Sequence, residues 1–112
     1  MKKVECIIRP DVLEDVKAEL NKLKIHGMTV SQVFGCGHQK GKKEIYRGAE
    51  IEISLLPKVK IEIVTEDGSV ENIVDAVTKV ARTGNVGDGK IFIYDIQDAI
   101  RIRTGERGEK AI

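Results

Sequence analysis

The strongest constraint on this chain is an echo between two alternating runs. Near the start, Lys3-Val4-Glu5-Cys6-Ile7-Ile8 sets Val4, Cys6 and Ile8 on one side. Beyond the middle, Lys58-Val59-Lys60-Ile61-Glu62-Ile63 alternates more cleanly still. Alternation is the pattern of a strand with one buried face, because successive side chains point to opposite sides. Each run is followed by apolar residues at helical spacing: Leu13, Val16, Leu20 and Leu23 after the first, Val70, Ile73, Val74, Val77 and Val80 after the second. Asp11 and Ser69 stand where helix caps are expected. The first helix is expected to end near His26-Gly27. Each stripe leads into a further strand, predicted over 28–34 and 90–94.

The predicted order is β-α-β, a long segment, then β-α-β. Two such units with right-handed crossovers form one four-stranded antiparallel sheet with both helices on one face. That is the α+β, ferredoxin-like plan. A single domain over residues 1–112 is expected, with an extra short C-terminal strand that carries Arg101 and Arg103 on one face. If Val59, Ile61 and Ile63 face the helices, then Lys58, Lys60 and Glu62 face the uncovered side with Ile7 and Thr29. An open face with apolar content invites oligomerisation or a ligand.

Composition removes several function classes. With 19 basic and 18 acidic residues the net charge is +1, so no strong field draws nucleic acid or a membrane surface. Cys6 and Cys36 are too few for a disulfide scaffold. Cys6 reads as a small core side chain. No C-x-x-C or Cys/His cluster supports structural zinc. The opening MKKVECIIRP lacks the apolar run of a signal peptide. No apolar stretch approaches membrane-spanning length. A soluble, cytoplasmic protein is expected, with no nucleic-acid partner.

Two glycine-rich segments remain as carriers of chemistry. From Gly35 to about Gly48, the glycines at 35, 37, 41 and 48 are interleaved with Lys40, Lys42, Lys43 and Arg47. A loop this long in a small domain is usually functional or mobile. Glycines let backbone N–H groups converge on an anion, and lysines add charge. The spacing is one residue too wide for a P-loop, and no Ser or Thr follows Lys42. On spacing alone, a flexible basic loop is the readier interpretation. The second segment, Thr83-Gly84-Asn85-Val86-Gly87-Asp88-Gly89-Lys90, packs three glycines ahead of a strand. It reads equally as an anion-holding nest or as a plain connection with Gly84 as C-cap. Arg101 and Arg103 could grip phosphates bidentately or serve as a solvated edge. No Ser/His/Asp arrangement or carboxylate dyad suggests catalysis.

Taken together, GHQKGKKEIYRGAE, LPKVKIEIV, ARTGNVGDGKIF and IRIRTGE resemble the PII nitrogen-regulatory proteins, in the family's order and over nearly the whole chain. The resemblance implies a homotrimer in which open sheet faces meet and ATP or ADP lies in clefts between subunits, with 2-oxoglutarate bound alongside Mg-ATP. Carried over by position, Gly35, Gly37, His38, Gln39 and Lys40 approach the phosphates from the long loop, and Gly87, Asp88, Gly89 and Lys90 from the second. Ile7, Thr29, Glu62 and Val64 line the adenine site. Arg101 and Arg103 reach across from a neighbouring subunit. Gln39 holds Mg²⁺ and contacts 2-oxoglutarate, which Gly41, Lys58 and Gly87 surround.

The same resemblance implies a regulator rather than an enzyme. A loop over about 37–55 docks or releases a target according to the bound effector. Tyr46, Arg47, Gly48 and Glu50 carry that contact. An ammonium channel is the expected target, which gives a peripheral membrane contact only through the channel. Glutamine synthetase or nitrogenase are the alternatives within nitrogen metabolism, and a small nucleotide-acting enzyme is the rival from another class. Three positions depart from the family's pattern. His38 stands where Arg is common, and a weakly charged imidazole grips phosphate less firmly. Ile51 replaces the tyrosine that many relatives uridylylate, and Ala49 replaces the residue that some phosphorylate.

Overall fold

The computed structural model describes residues 1–36, 43–46, 49–52 and 55–112, with backbone only for 43–46 and 49–52. The first alternating run forms β1 (Lys2–Ile8), and the second lies in β5 (Leu55–Thr65). They are antiparallel neighbours, with Val4 opposite Ile63, Cys6 opposite Ile61 and Ile8 opposite Val59. This register stacks the apolar members of both runs on one face. All six are essentially buried. Strand β2 (Thr29–Cys36) pairs with the outer side of β5, and β6 (Gly89–Asp95) with the outer side of β1. The sheet order is β2-β5-β1-β6, the ferredoxin-like arrangement. A separate antiparallel pair, β3 (Lys43–Tyr46) and β4 (Ala49–Glu52), lies between β2 and β5 in the chain.

Helix α1 (Leu13–Lys22) buries Val16 and Leu20, and α2 (Val70–Ala81) buries Val70, Ile73, Val77 and Ala81. Of the expected stripes, Leu23 is exposed beyond the end of α1 and Leu13, Val74 and Val80 are only partly buried, while Ala81 joins the buried positions; the buried residues keep the period of 3.6. They close over the apolar sheet face as one core with Val4, Cys6, Ile8, Val59, Ile61 and Ile63. Burying an aliphatic side chain of this size stabilises by about 1.5–3 kcal/mol, so this layer dominates the folding energy. Among the described residues no helix is long and apolar enough to cross a membrane.

The ends of the elements differ from expectation. Asp11 does not cap α1. Pro10–Val12 forms a 3-10 turn ahead of the helix, since proline presets φ and has no N–H to leave unpaired. The Asp11 carboxylate instead lies 3.5 Å from Arg9 Nε. Nor does α1 continue to His26-Gly27. It stops at Lys22, and Lys24 takes the left-handed conformation at φ 60°. The Lys24 N–H donates to Asn21 O at 2.9 Å and the Ile25 N–H to Leu20 O at 3.1 Å, which is the Schellman pattern.

Ser69 occupies the N-cap position of α2 without capping it, because the preceding 3-10 turn leaves its backbone near-helical. Its hydroxyl lies 3.4 Å from Glu66 Oε1. Gly84 is not the C-cap of α2; Arg82 takes that place in an extended conformation. The second strand runs past Phe34 to Cys36, so Gly35 is a strand residue paired with Leu56. The expected C-terminal strand is reduced to one bridge between Ile100 and Arg107. Between them the chain turns, with the Gly105 N–H donating to Arg101 O at 2.7 Å. Arg101 and Arg103 therefore do not share a strand face.

Candidate functional site

The loop between α2 and β6 is held at three successive residues. Asp88 is the brace. Its Oδ2 accepts from the Thr83 N–H at 2.7 Å and the Gly84 N–H at 2.9 Å. Its Oδ1 accepts from the Thr83 hydroxyl and from Arg9 Nη1, the latter at 2.6 Å. The Thr83 hydroxyl oxygen in turn accepts from the Asn85 N–H at 3.1 Å and from Arg9 Nη1 at 3.4 Å. The Thr83 hydroxyl first, then its backbone N–H, that of Gly84 and the Arg9 guanidinium hold the Asp88 carboxyl well below the usual carboxylate range. Such hydrogen bonds stabilise the charged form. Because the Asp88 carboxylate is consumed inside the loop, what the loop offers an anion is backbone. Among the described residues no backbone or side-chain acceptor takes the N–H of Gly87 or Asp88.

Gly89 follows at φ 106°, and a Cβ there would lie 1.8 Å from Ile7 O. Only glycine permits this approach of loop to strand. On the other side, Lys58 Nζ donates to Gly87 O at 2.7 Å. A Cβ at Gly35 would touch Lys58 Cγ at 3.2 Å. The end of β2, the middle of β5 and the Gly-rich loop thus meet at one corner of the sheet. Gly35, Lys58, Gly87, Gly89 and Ile7 gather there, and Lys90 enters β6 opposite Ile7. A cavity of about 280 Å³ runs beside the corner under α2, lined by Ile8, Val77, Ala81, Asp88 and Lys90 among others. Neither Gly35 nor Lys58 lines it.

Thr29, Glu62 and Val64 lie on the same open face, further along. Thr29 is opposite Glu62, and Val64 is opposite Lys3. A charged network missed by sequence reading occupies this part. Lys3 Nζ lies 3.3 Å from Glu62 Oε2 and 3.8 Å from Glu5 Oε1. It also sits 4.4 Å from the centre of the Tyr94 ring, and the Tyr94 hydroxyl donates to Glu5 Oε2 at 3.1 Å. That bond, first among the causes, raises the Tyr94 pKa. Lys3 and Glu5 alternate with the core residues of β1, which was the available signal.

Arg101 and Arg103 stand on the C-terminal turn. Arg101 Nη1 approaches Glu106 Oε1 at 3.5 Å. Asp98 fastens the base of the turn, accepting from the Ala99 N–H at 2.8 Å, Arg107 Nη1 at 2.8 Å and the Gly108 N–H at 3.3 Å. Among the described residues no hydrogen bond or ion pair joins Arg101 or Arg103 to the Gly-rich loop of the same chain. Gly37, His38, Gln39, Lys40, Gly41, Arg47 and Gly48 lie outside the described residues. Tyr46 and Glu50 are described as backbone within β3 and β4. Arg9 was not singled out from the sequence, and Thr83 stood there as the first residue of the second glycine segment without a role of its own; an Asp five residues after it was the available hint. Among the described residues no His, Cys, Asp and Glu cluster suits a metal ion.

The profile of the family described as "Nitrogen regulatory protein P-II" matches residues 1–106. Proteins of that name from Rhodospirillum rubrum and Pasteurella multocida are each 54% identical to this chain over 112 residues, covering all of both chains. "Nitrogen regulatory protein P-II 1" of Escherichia coli K12 is 53% identical over the same full span.

Proposed function

This chain belongs to the P-II nitrogen regulatory protein family, and on that footing we propose that it senses ATP or ADP together with 2-oxoglutarate and passes the signal to a target through residues 37–55. P-II signal proteins are regulators, not enzymes, which sets aside the nucleotide-acting enzyme. The observation that carries the sensing role is the corner where Gly35, Lys58 and the Gly87–Lys90 segment meet. Gly35, where the first anion candidate begins, is joined to the second candidate through Lys58. The N–H groups of Gly87 and Asp88, which have no acceptor among the described residues, suit phosphate or carboxylate oxygens with two lysines beside them.

Distance along the sheet supports a shared site. Lys58 and Val64 are both on β5, and at about 3.3 Å per residue they lie roughly 20 Å apart. In our reading one nucleotide does not touch both within one chain. The corner supplies phosphate contacts from one subunit, while Thr29, Glu62, Val64, Arg101 and Arg103 come from its neighbour in a homotrimer. Lys58 leaves Gly87 O when 2-oxoglutarate offers it a carboxylate, beside Gly41 and Gln39. Mg²⁺ is assigned to Gln39 and the phosphates, with His38 and Lys40 nearby.

The reading for the target is an ammonium channel, contacted by Tyr46, Arg47, Gly48 and Glu50. Strands β3 and β4 flank positions 47 and 48, which supports a projecting contact. Glutamine synthetase or nitrogenase would be recognised through the same segment. With Ile51 and Ala49 in place, ligands alone set its state. Titration calorimetry with ATP, ADP and 2-oxoglutarate tests the sensor. Saturable heats for ATP, strengthened by Mg²⁺ and 2-oxoglutarate, are expected, and no binding at millimolar nucleotide refutes it. For the target, pull-down of the channel is lost in Arg47→Glu if that contact is real.

A further inference from the structure

One side chain outside the ligand-contacting set reaches three parts of the corner. Arg9 leaves the end of β1, donates from Nη1 to Asp88 Oδ1 at 2.6 Å and to the Thr83 hydroxyl at 3.4 Å, and donates from Nη2 to Ala81 O at 3.3 Å. It ties the end of α2 and both sides of the Gly-rich loop to the sheet. We propose that Arg9 is a positioning residue for nucleotide binding, holding through Asp88 and Thr83 the loop shape that presents the Gly87 and Asp88 N–H groups to phosphate. The inference rests on the nucleotide-sensing reading above.

The physical case begins with the glycines. Gly84 and Gly87 lie at φ 87° and 102°, in a region that glycine enters freely and leaves as freely. A loop of this composition does not keep one shape by its own backbone preferences, so ordering it on binding would subtract from affinity. Asp88 alone fastens only the loop's two ends to each other. Arg9 adds a fixed point at Asp88, beside the hold of Lys58 on Gly87 O, because its planar fork holds a carboxylate and a carbonyl at once. Lysine offers a single point of charge. It keeps the pairing with Asp88 and gives up the second anchor on α2.

The test is titration calorimetry of ATP against the wild-type chain, Arg9→Met and Arg9→Lys. Arg9→Met is expected to weaken ATP about tenfold, the size of one ordered side chain or loop segment. The number of sites per chain stays unchanged. Arg9→Lys is expected to recover affinity to within about threefold of wild type. A purely structural role gives the opposite signature: fewer competent sites, with unchanged affinity in those that remain. That result overturns the proposal, as does equal affinity in Arg9→Met or a loss that Arg9→Lys does not recover. If the wild-type chain itself gives no heat with ATP, the sensing reading falls and this inference with it. If wild type binds and Arg9→Met binds as well, only the positioning role falls.

Discussion

Lys24 ends α1 in the left-handed conformation, where a β-carbon costs about 1–2 kcal/mol. Glycine there removes that strain but gives more freedom to the unfolded chain. Lys24→Gly should therefore raise stability by a net of about 0.5–1 kcal/mol in urea denaturation. Gly89 is the converse case. Any side chain collides with Ile7 O, so Gly89→Ala should cost more than about 2 kcal/mol and distort the corner. Asp88 links the loop to pH. Its folded pKa is depressed, so its contribution is fully present above the unfolded value of about 3.9 and is lost as pH falls below it. Amide exchange at Thr83 and Gly84 should accelerate in that acid range, and Asp88→Asn should remove the step. The thiols differ as well. Burial, with a smaller push from Glu5, raises Cys6 to about 11, whereas Cys36 is exposed. A thiol reagent at neutral pH should label Cys36 in the native state and Cys6 only after unfolding.

The elements follow from periodicity. Ile73 of α2 is fully buried in the common core, so Ile73→Ala should destabilise by about 2–5 kcal/mol, read from the denaturation midpoint at unchanged slope. The two alternating runs and the two stripes were legible because a buried face imposes its period on the sequence. The ends were not, because they depend on local competition. Pro10 started a turn before Asp11 could cap, and Lys24 took a left-handed position that its residue type does not advertise. The pairing of β3 with β4 lay inside a stretch whose glycines and lysines gave no strand signal. Arg101 and Arg103 looked like strand residues because the sequence shows alternation there. It does not show that Asp98, Arg107 and Gly108 pull the chain into a turn.

At the scale of the whole molecule, the glycine segments were legible as anion candidates, and the family resemblance brought both to one nucleotide; the contacts that build the corner were not legible. They are Lys58 reaching Gly87 O and Gly89 lying on Ile7, between residues remote in the chain. Arg9 and the role of Thr83 stayed hidden because their work is to shape other residues. The open face carries the Lys3, Glu5, Glu62 and Tyr94 network, and it is where the proposed trimer would close. Sedimentation equilibrium should then return three times the 12.4 kDa chain mass. The most direct measurement of the central claim is a crystal structure with Mg-ATP and 2-oxoglutarate. The expected result puts the phosphates on Gly35 and Gly87–Lys90 of one subunit, with Glu62, Val64, Arg101 and Arg103 of the next subunit around the adenosine. A nucleotide held wholly by one chain, or bound away from the Lys58 corner, would contradict it.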